Sequence, residues 1–210
     1  MKKTLSVLLT AALCLPVIAK DIQLPKPQLT AKMTLMDALS KRASARSYSQ
    51  KAIDDQTLST LLWAACGINR PTEKKITAPS AINAQDILVY VATKDGAWLY
   101  EPQTNTLKQV TTTDVRPHLA AGQQFVMQAP VSLILVSNQG RFGNRSRGAS
   151  DMGKFDAGYV SENICLGCTA LGLATVPRMM MDKEKLAQAL GLPEQQVPML
   201  NHPVGWPEKQ

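Results

Sequence analysis

The chain has 210 residues, of which 45% are hydrophobic, 19% charged and 5% aromatic. Those fractions exclude collagen-like, disordered and low-complexity chains, and this length suits one domain with a proper core rather than two. Lys and Arg (23) outnumber Asp and Glu (16), for a net charge of +7. No basic helix with interleaved aromatics appears, so nucleic acid is not an expected partner.

Met1-Lys2-Lys3 precedes an uncharged run from Thr4 to Ala19 that contains Pro16 and ends Val17-Ile18-Ala19. A basic start, an apolar stretch and a small residue at the cut site predict a signal peptide over residues 1–19 and an exported, periplasmic protein. The run falls short of the roughly 20 residues of a spanning helix, so no stable membrane insertion is expected after its removal. An uncleaved anchor is the alternative. Residues 20–33, with Pro25 and Pro27, read as an extended arm leading into a domain over 34–210.

Thr34 is an N-cap candidate for a helix to Arg42, with Leu35, Met36 and Leu39 at helical spacing. Asp55 is expected to cap a second helix that carries Leu58, Leu61, Leu62 and Ala65 on one face and ends at Gly67. Residues 68–80 read as a polar loop. Ile87–Ala92 is a continuous β-rich run, hence a strand buried on both faces, and turns at Lys94–Gly96 and Pro102–Asn105 continue it as a meander. A helix opening at Thr113-Asp114 and covering Leu119–Phe125 leads to a second buried strand, Val131–Val136. Residues 138–154 read as a flexible loop. Phe155–Leu171 is a long helix with Ala157, Gly158, Ser161, Gly167 and Ala170 on a face small enough for close helix packing. An amphipathic helix from Asp182 to Leu190 and a short β-like tail ending Gly205-Trp206-Pro207 complete an α+β order, with a mostly antiparallel or mixed sheet among helices.

Removal of residues 1–19 would take Cys14 with it and leave Cys66, Cys165 and Cys168, an odd number that argues against a disulfide framework. Cys165 and Cys168 form a CxxC within a helical run. Packed small hydrophobes are the favoured role for them, and a redox pair the alternative. No further ligands stand at zinc spacing, so no metal is expected. His118 and His202 are isolated and read as structural or solvated, and no nucleophile elbow supports a hydrolase.

Two segments carry chemistry. Arg42, Ser44 and Arg46 follow the first helix, and their forked guanidinium donors with a hydroxyl between them suit a phosphate. The same residues also suit a solvated helix end. Asn83 and Gln85, just before the first buried strand, could meet a heterocycle edge that both donates and accepts, or simply build a turn.

Taken in order, these segments resemble the nitroreductase family of FMN-dependent oxidoreductases. The carriers are Arg42-x-Ser44-x-Arg46 before Tyr48, Pro79-Ser80-x-x-Asn83-x-Gln85, Asp156–Asn163 continuing to Val176, and Val204-Gly205-Trp206-Pro207. The stretch Trp98–Pro102 with Leu107 is closest to the SagB-type branch. The resemblance spans about residues 34–207. It implies a nitroreductase-like homodimer with FMN at the subunit interface, a small-molecule substrate such as a nitroaromatic or quinone, and an electron donor that the sequence leaves unnamed. It puts Arg42, Ser44 and Arg46 around the FMN phosphate and ribityl chain. Pro79, Ser80, Ala81 and Asn83 would reach the flavin from the other subunit. Gln123 and Gln124 fall near a flavin-contacting position, and Pro177, Arg178, Met179 and Met180 match the segment passing the ring. The flavin would carry the chemistry, so no catalytic side chain is expected. The small face of the 155–171 helix would be dimer packing. Many family members close the phosphate site with basic residues near the C-terminus, where this chain has only Lys209. A flavin carrier without turnover is the alternative.

Overall fold

The computed structural model describes residues 20–30, 32–145 and 147–208. The expected signal peptide, residues 1–19, lies outside them. The frame is a seven-stranded sheet built from β1 (Ile22–Gln23), β4 (Ile87–Thr93), β5 (Gly96–Glu101), β6 (Thr106–Thr111), β7 (Val131–Asn138), β8 (Ala174–Thr175) and β9 (Gln196–Gly205). Its spatial order is β1-β6-β5-β4-β7-β9-β8, with every neighbouring pair antiparallel. The fold is α+β, as the sequence predicts.

The central strands read as continuous apolar runs because both faces of the sheet are covered. On one face Val89, Val91, Leu133 and Leu135 meet α2 (Asp55–Cys66) and α5 (Ala149–Leu171) through Leu61, Leu62, Val160 and Ile164. On the other, Tyr90, Ile134 and Val136 meet α3 (Arg116–Ala120), α4 (Phe125–Gln128) and α6 (Lys183–Leu190) through Leu119, Val126, Leu186 and Leu190. The arm docks on the frame. Ile22 pairs with Leu107, Leu24 is buried, and the Gln28 amide donates to Thr60 Oγ1 at 3.0 Å.

Helix ends follow local chemistry. Thr34 and Asp37 form a reciprocal capping box on α1 (Leu35–Lys41), and the Asp54 carboxylate, one residue before the expected cap, accepts the Thr57 amide at 2.8 Å. Gly172 and Gly191 close α5 and α6 in the left-handed conformation.

Four expectations change. The polar loop at 68–80 holds a small hairpin, β2 (Ile68–Arg70) with β3 (Lys75–Ile76), too short to show a period. The helix expected to run through Leu119–Phe125 is split into α3 and α4, because Ala121 and Gly122 take φ of 44° and 89°. The loop at 138–154 contains a 3-10 stretch, Gln139–Arg145, and the first turns of α5, which starts at Ala149 after Gly148 at φ 90°. The tail is no short piece. β9 is ten residues long and lies between β7 and β8, and it admits Pro198 beside a register shift opposite Leu135 and Val136.

The small residues of α5 are spent partly within the chain. A Cβ on Gly167 would stand 3.2 Å from Ala64 and Leu61 of α2, and one on Gly153 would stand 2.4 Å from Ser137 Oγ. Gly153→Ala should therefore lower stability by about 1–3 kcal/mol, through displacement of the Ser137 side chain, as read from urea unfolding midpoints.

Candidate functional site

The Arg42–Tyr48 segment leaves α1 in extended form and is pinned along the sheet edge. The Ala45 amide donates to the Thr175 carbonyl at 2.9 Å, Tyr48 bridges to Pro207, and the Ser49 amide donates to the Trp206 carbonyl. Tyr48, only 2% exposed, donates its hydroxyl to the Ala45 carbonyl and packs on Ala129 and Ala174. With Ala45 and Tyr48 turned inward, Arg42, Ser44 and Arg46 are exposed. No hydrogen bond or ion pair engages their side chains among the described residues.

Arg178 is the opposite case. It is 7% exposed, and its guanidinium donates to the Leu119 carbonyl (2.9 Å), the Ala120 carbonyl (3.2 Å), Asn201 Oδ1 (2.7 Å) and Gln123 Oε1 (3.0 Å). It also lies 5.5 Å from the centre of the Phe125 ring. Its backbone exchanges two hydrogen bonds with Asn201. The side chain thus ties the end of α3 to β9. Gln123 is held by that contact, whereas Gln124 is exposed at the start of α4. Pro177 is exposed, and Met179 and Met180 stand out at 71% and 52% exposure on a segment fixed by the Asn201 amide group's bond to the Met180 carbonyl.

The loop over Pro79, Ser80, Ala81 and Asn83 is elsewhere. It is held against the N-terminal part of α5, where the Asp156 carboxyl accepts the Ala81 amide at 2.9 and 3.0 Å. Cys165, whose charge environment includes Arg42, lies nine residues further along α5, or ~13 Å at helical rise. Structure therefore gathers Arg42, Ser44, Arg46, Gln123 and Arg178–Met180 around the β8–β9 edge, and leaves the Pro79–Asn83 loop apart from them. The loop is strained: Ile82, Asn83 and Gln85 have φ of 51°, 58° and 47°, at roughly 1–2 kcal/mol per residue. Ser80 Oγ accepts the Gln85 amide (2.9 Å), Arg141 donates to the Gln85 carbonyl, and the Gln85 side chain donates to the Lys74 carbonyl.

Two sets of buried polar side chains stand out: His202, which takes the structural one of its two expected roles, and the Asp86–Asp156 pair, which sequence reasoning missed. His202 is fully buried, with Ser161 Oγ 2.9 Å from Nε2 and Thr175 Oγ1 3.4 Å from Nδ1. Thr175 donates onward to the Pro203 carbonyl, so its oxygen is left to accept from Nδ1–H. Asp86 and Asp156 are buried together at the foot of the strained loop. An Asp before an apolar run and one inside a small-residue helix carry no sequence signal of burial. The cysteines take the packed role: all three are buried and free, and burial pushes the Cys165 thiol up to about 11. Two cavities of about 480 Å³ each lie around Ile53, Thr93, Asp95 and Val131, and no predicted site residue lines them.

With this geometry in place, comparison with known proteins is decisive. Residues 39–206 match the model of the nitroreductase family. The chain belongs to the nitroreductase family. It is 30% identical over 198 residues to a protein from Methanocaldococcus jannaschii described as a nitroreductase, covering 88% of this chain and 96% of that one. A crystal structure from Ralstonia eutropha JMP134, also described as a nitroreductase, is 34% identical, covers 90% of each chain and superposes with a TM-score of 0.84. A nitroreductase family protein from Clostridium novyi shares the fold at TM-score 0.63 with 20% identity, over 84% of this chain and 87% of that one. Family membership makes this chain one of a group of oxidoreductases.

Burial drives the His202 pKa down to about 3, from an ordinary value near 6.5. Between those values the unfolded chain binds a proton that the fold refuses, so this residue makes stability fall as pH drops below about 6.5. His202→Gln should lose less stability than the wild type between pH 6.5 and 5, by about 2 kcal/mol, as measured by urea unfolding at the two pH values.

Proposed function

We propose that the chain is an exported, FMN-dependent oxidoreductase of the nitroreductase family, working as a homodimer on a small organic molecule such as a nitroaromatic or a quinone. One observation carries the cofactor reading. Arg42, Ser44 and Arg46 sit on a pinned, extended segment with their donors unspent, while the guanidinium groups of Arg116 and Arg178 are consumed by the fold. A dianionic phosphate fits such a donor set.

In this reading Arg42, Ser44 and Arg46 hold the FMN phosphate and ribityl chain. Gln123 and Gln124 border the site, and Pro177, Arg178, Met179 and Met180 form the wall passing the ring. Arg178 acts there through its backbone position, since its guanidinium locks α3 to Asn201. Met179 and Met180 offer polarizable, apolar surface and keep water from it. Pro79, Ser80, Ala81 and Asn83 reach the flavin from the other subunit, which accounts for their separation from Arg42 within one chain. When bound, FMN supplies two-electron and one-electron transfer between a reductant and the organic acceptor.

The dimer reading rests on the apolar surface of the chain. Leu35, Met36 and Leu39 of α1 and Phe155 and Tyr159 of α5 are all at least 48% exposed, on two helices that contact one another. Export rests on the basic, apolar and small-residue pattern of residues 1–19. Among the described residues no helix is long and apolar enough to cross a membrane. The Trp98–Pro102 stretch and Leu107 support a position near the SagB-type branch.

The purified chain should show a flavin absorption spectrum after loading with FMN and removal of the excess. Arg42→Ala combined with Arg46→Ala should weaken FMN binding by about 100-fold or more, because two charge-assisted contacts are lost. A protein that retains no added FMN would sink the cofactor reading. One that binds it while no reductant or acceptor changes its redox state would be a carrier. Met36→Glu with Tyr159→Glu should shift the dimer to monomer in sedimentation and cost it FMN affinity at the same time.

A further inference from the structure

The Asp86 and Asp156 carboxyls are 0% and 1% exposed and lie close enough for Asp86 to raise the Asp156 pKa. Asp86 Oδ2 accepts the Ser137 hydroxyl at 2.5 Å, and Asp86 Oδ1 has no partner although it is buried. Both oxygens of Asp156 share a single donor, the Ala81 amide. Four buried oxygens thus face two donors, and a buried acceptor without a donor is costly. The arrangement is also built. Ser137 reaches Asp86 only because residue 153 has no side chain, since a Cβ there would lie 2.4 Å from its hydroxyl oxygen.

Among the described residues no cation forms an ion pair with either carboxylate. From the elements packed around the pair, Arg141 directs one Nη1–H to the Gln85 carbonyl, and Lys74 contributes a backbone carbonyl to the Gln85 side chain. On α5 itself, Lys154 is exposed and paired with Asp151. β7 supplies the Ser137 hydroxyl and the Asn138 amide, which binds the Asp86 backbone carbonyl. Two adjacent buried carboxyls in such surroundings cannot both ionise without repulsion.

We propose that Asp86 and Asp156 share one proton and are positioning residues that latch the Ser80–Gln85 loop in its strained form, releasing it when that proton leaves. The pair brackets the loop: Asp156 grips it at Ala81, and Asp86 anchors it at its exit into β4. With one proton between them, Asp86 Oδ1 gains a partner and Asp156 stays put as acceptor for Ala81. With none, the carboxylates push apart, and Ala81 is the moveable end. Burial first, and the Asp86 neighbour second, hold the Asp156 carboxyl up at about 6. The folded loop therefore binds a proton that a free carboxyl would have released above about 4, and the latch weakens as pH rises through about 6. Insofar as the loop serves a flavin, this rests on the function proposed above, and it makes FMN capture stronger in mild acid.

The test is amide hydrogen exchange of residues 80–86 in the full chain without flavin, corrected for the intrinsic pH dependence of exchange, alongside FMN titrations at the same pH values. The wild type should show at least about a tenfold rise in loop exchange between pH 5 and pH 8, with weaker FMN binding over the same range. Asp86→Asn places a permanent N–H where the shared proton stands, and should keep the loop protected and its exchange flat across that range. Asp156→Asn serves the same purpose should the first variant not fold. Flat exchange in the wild type, or a step that persists in the Asn variant, overturns the latch. A step abolished by the variant in a chain that binds no FMN at any pH upholds the latch and overturns the flavin reading.

Discussion

Strand β9 carries two polar side chains, Asn201 and His202, to positions with no solvent exposure, and each must find partners there. They are consecutive, so they point to opposite faces of the sheet. Asn201 lies opposite Ile134 and bonds to Arg178 and the Met180 carbonyl, and His202 lies opposite Leu133 and bonds to Ser161 and Thr175. Those partners are not scattered. Arg178 and Met180 belong to the segment that would pass the flavin ring, and Thr175 is the residue whose carbonyl pins Ala45 between Ser44 and Arg46. The hydrogen-bonding demand of one buried strand thereby sets both halves of the candidate site.

The same logic separates the arginines by job. A guanidinium has five donors, and once the fold uses them it binds nothing else. Arg178 is spent on two helix-end carbonyls, Asn201 and Gln123, and Arg116 on Asp114 and the Ala129 carbonyl. Arg42 and Arg46 stand at the edge with no protein acceptor among the described residues. A sequence motif cannot make that distinction, since all four are simply Arg near small or polar residues. The resemblance pointed to Arg178, and the structure gives its side chain a scaffolding role.

The opposite end of α5 shows a second way of using buried polarity. The loop over Ser80–Gln85 contains three non-glycine residues at positive φ, one of them the β-branched Ile82, and such a loop persists only where its surroundings hold it. Asp156 and Arg141 do so from outside, and Ser80 ties the loop to itself. His202 and Asp156 shift in opposite senses, the first refusing a proton and the second keeping one, so their effects on stability oppose each other in mild acid.

The amino-acid sequence by itself determined the α+β class, the buried β4 and β7 runs, the cap at Thr34, and four motifs whose order points to the family. These are local properties: periodicity, capping chemistry and spacing travel along a few residues of chain. Only the tertiary structure decided the rest. The break at Ala121, the early start of α5 at Ala149 and the length of β9 depend on what each segment packs against, not on its own propensity. Whether Asp86, Asp156 and His202 are buried depends on residues 41 to 75 positions away along the chain, such as Ser161, Ser137 and Ala81. Contacts at that separation exist only once the sheet has closed, and they leave no period or motif behind.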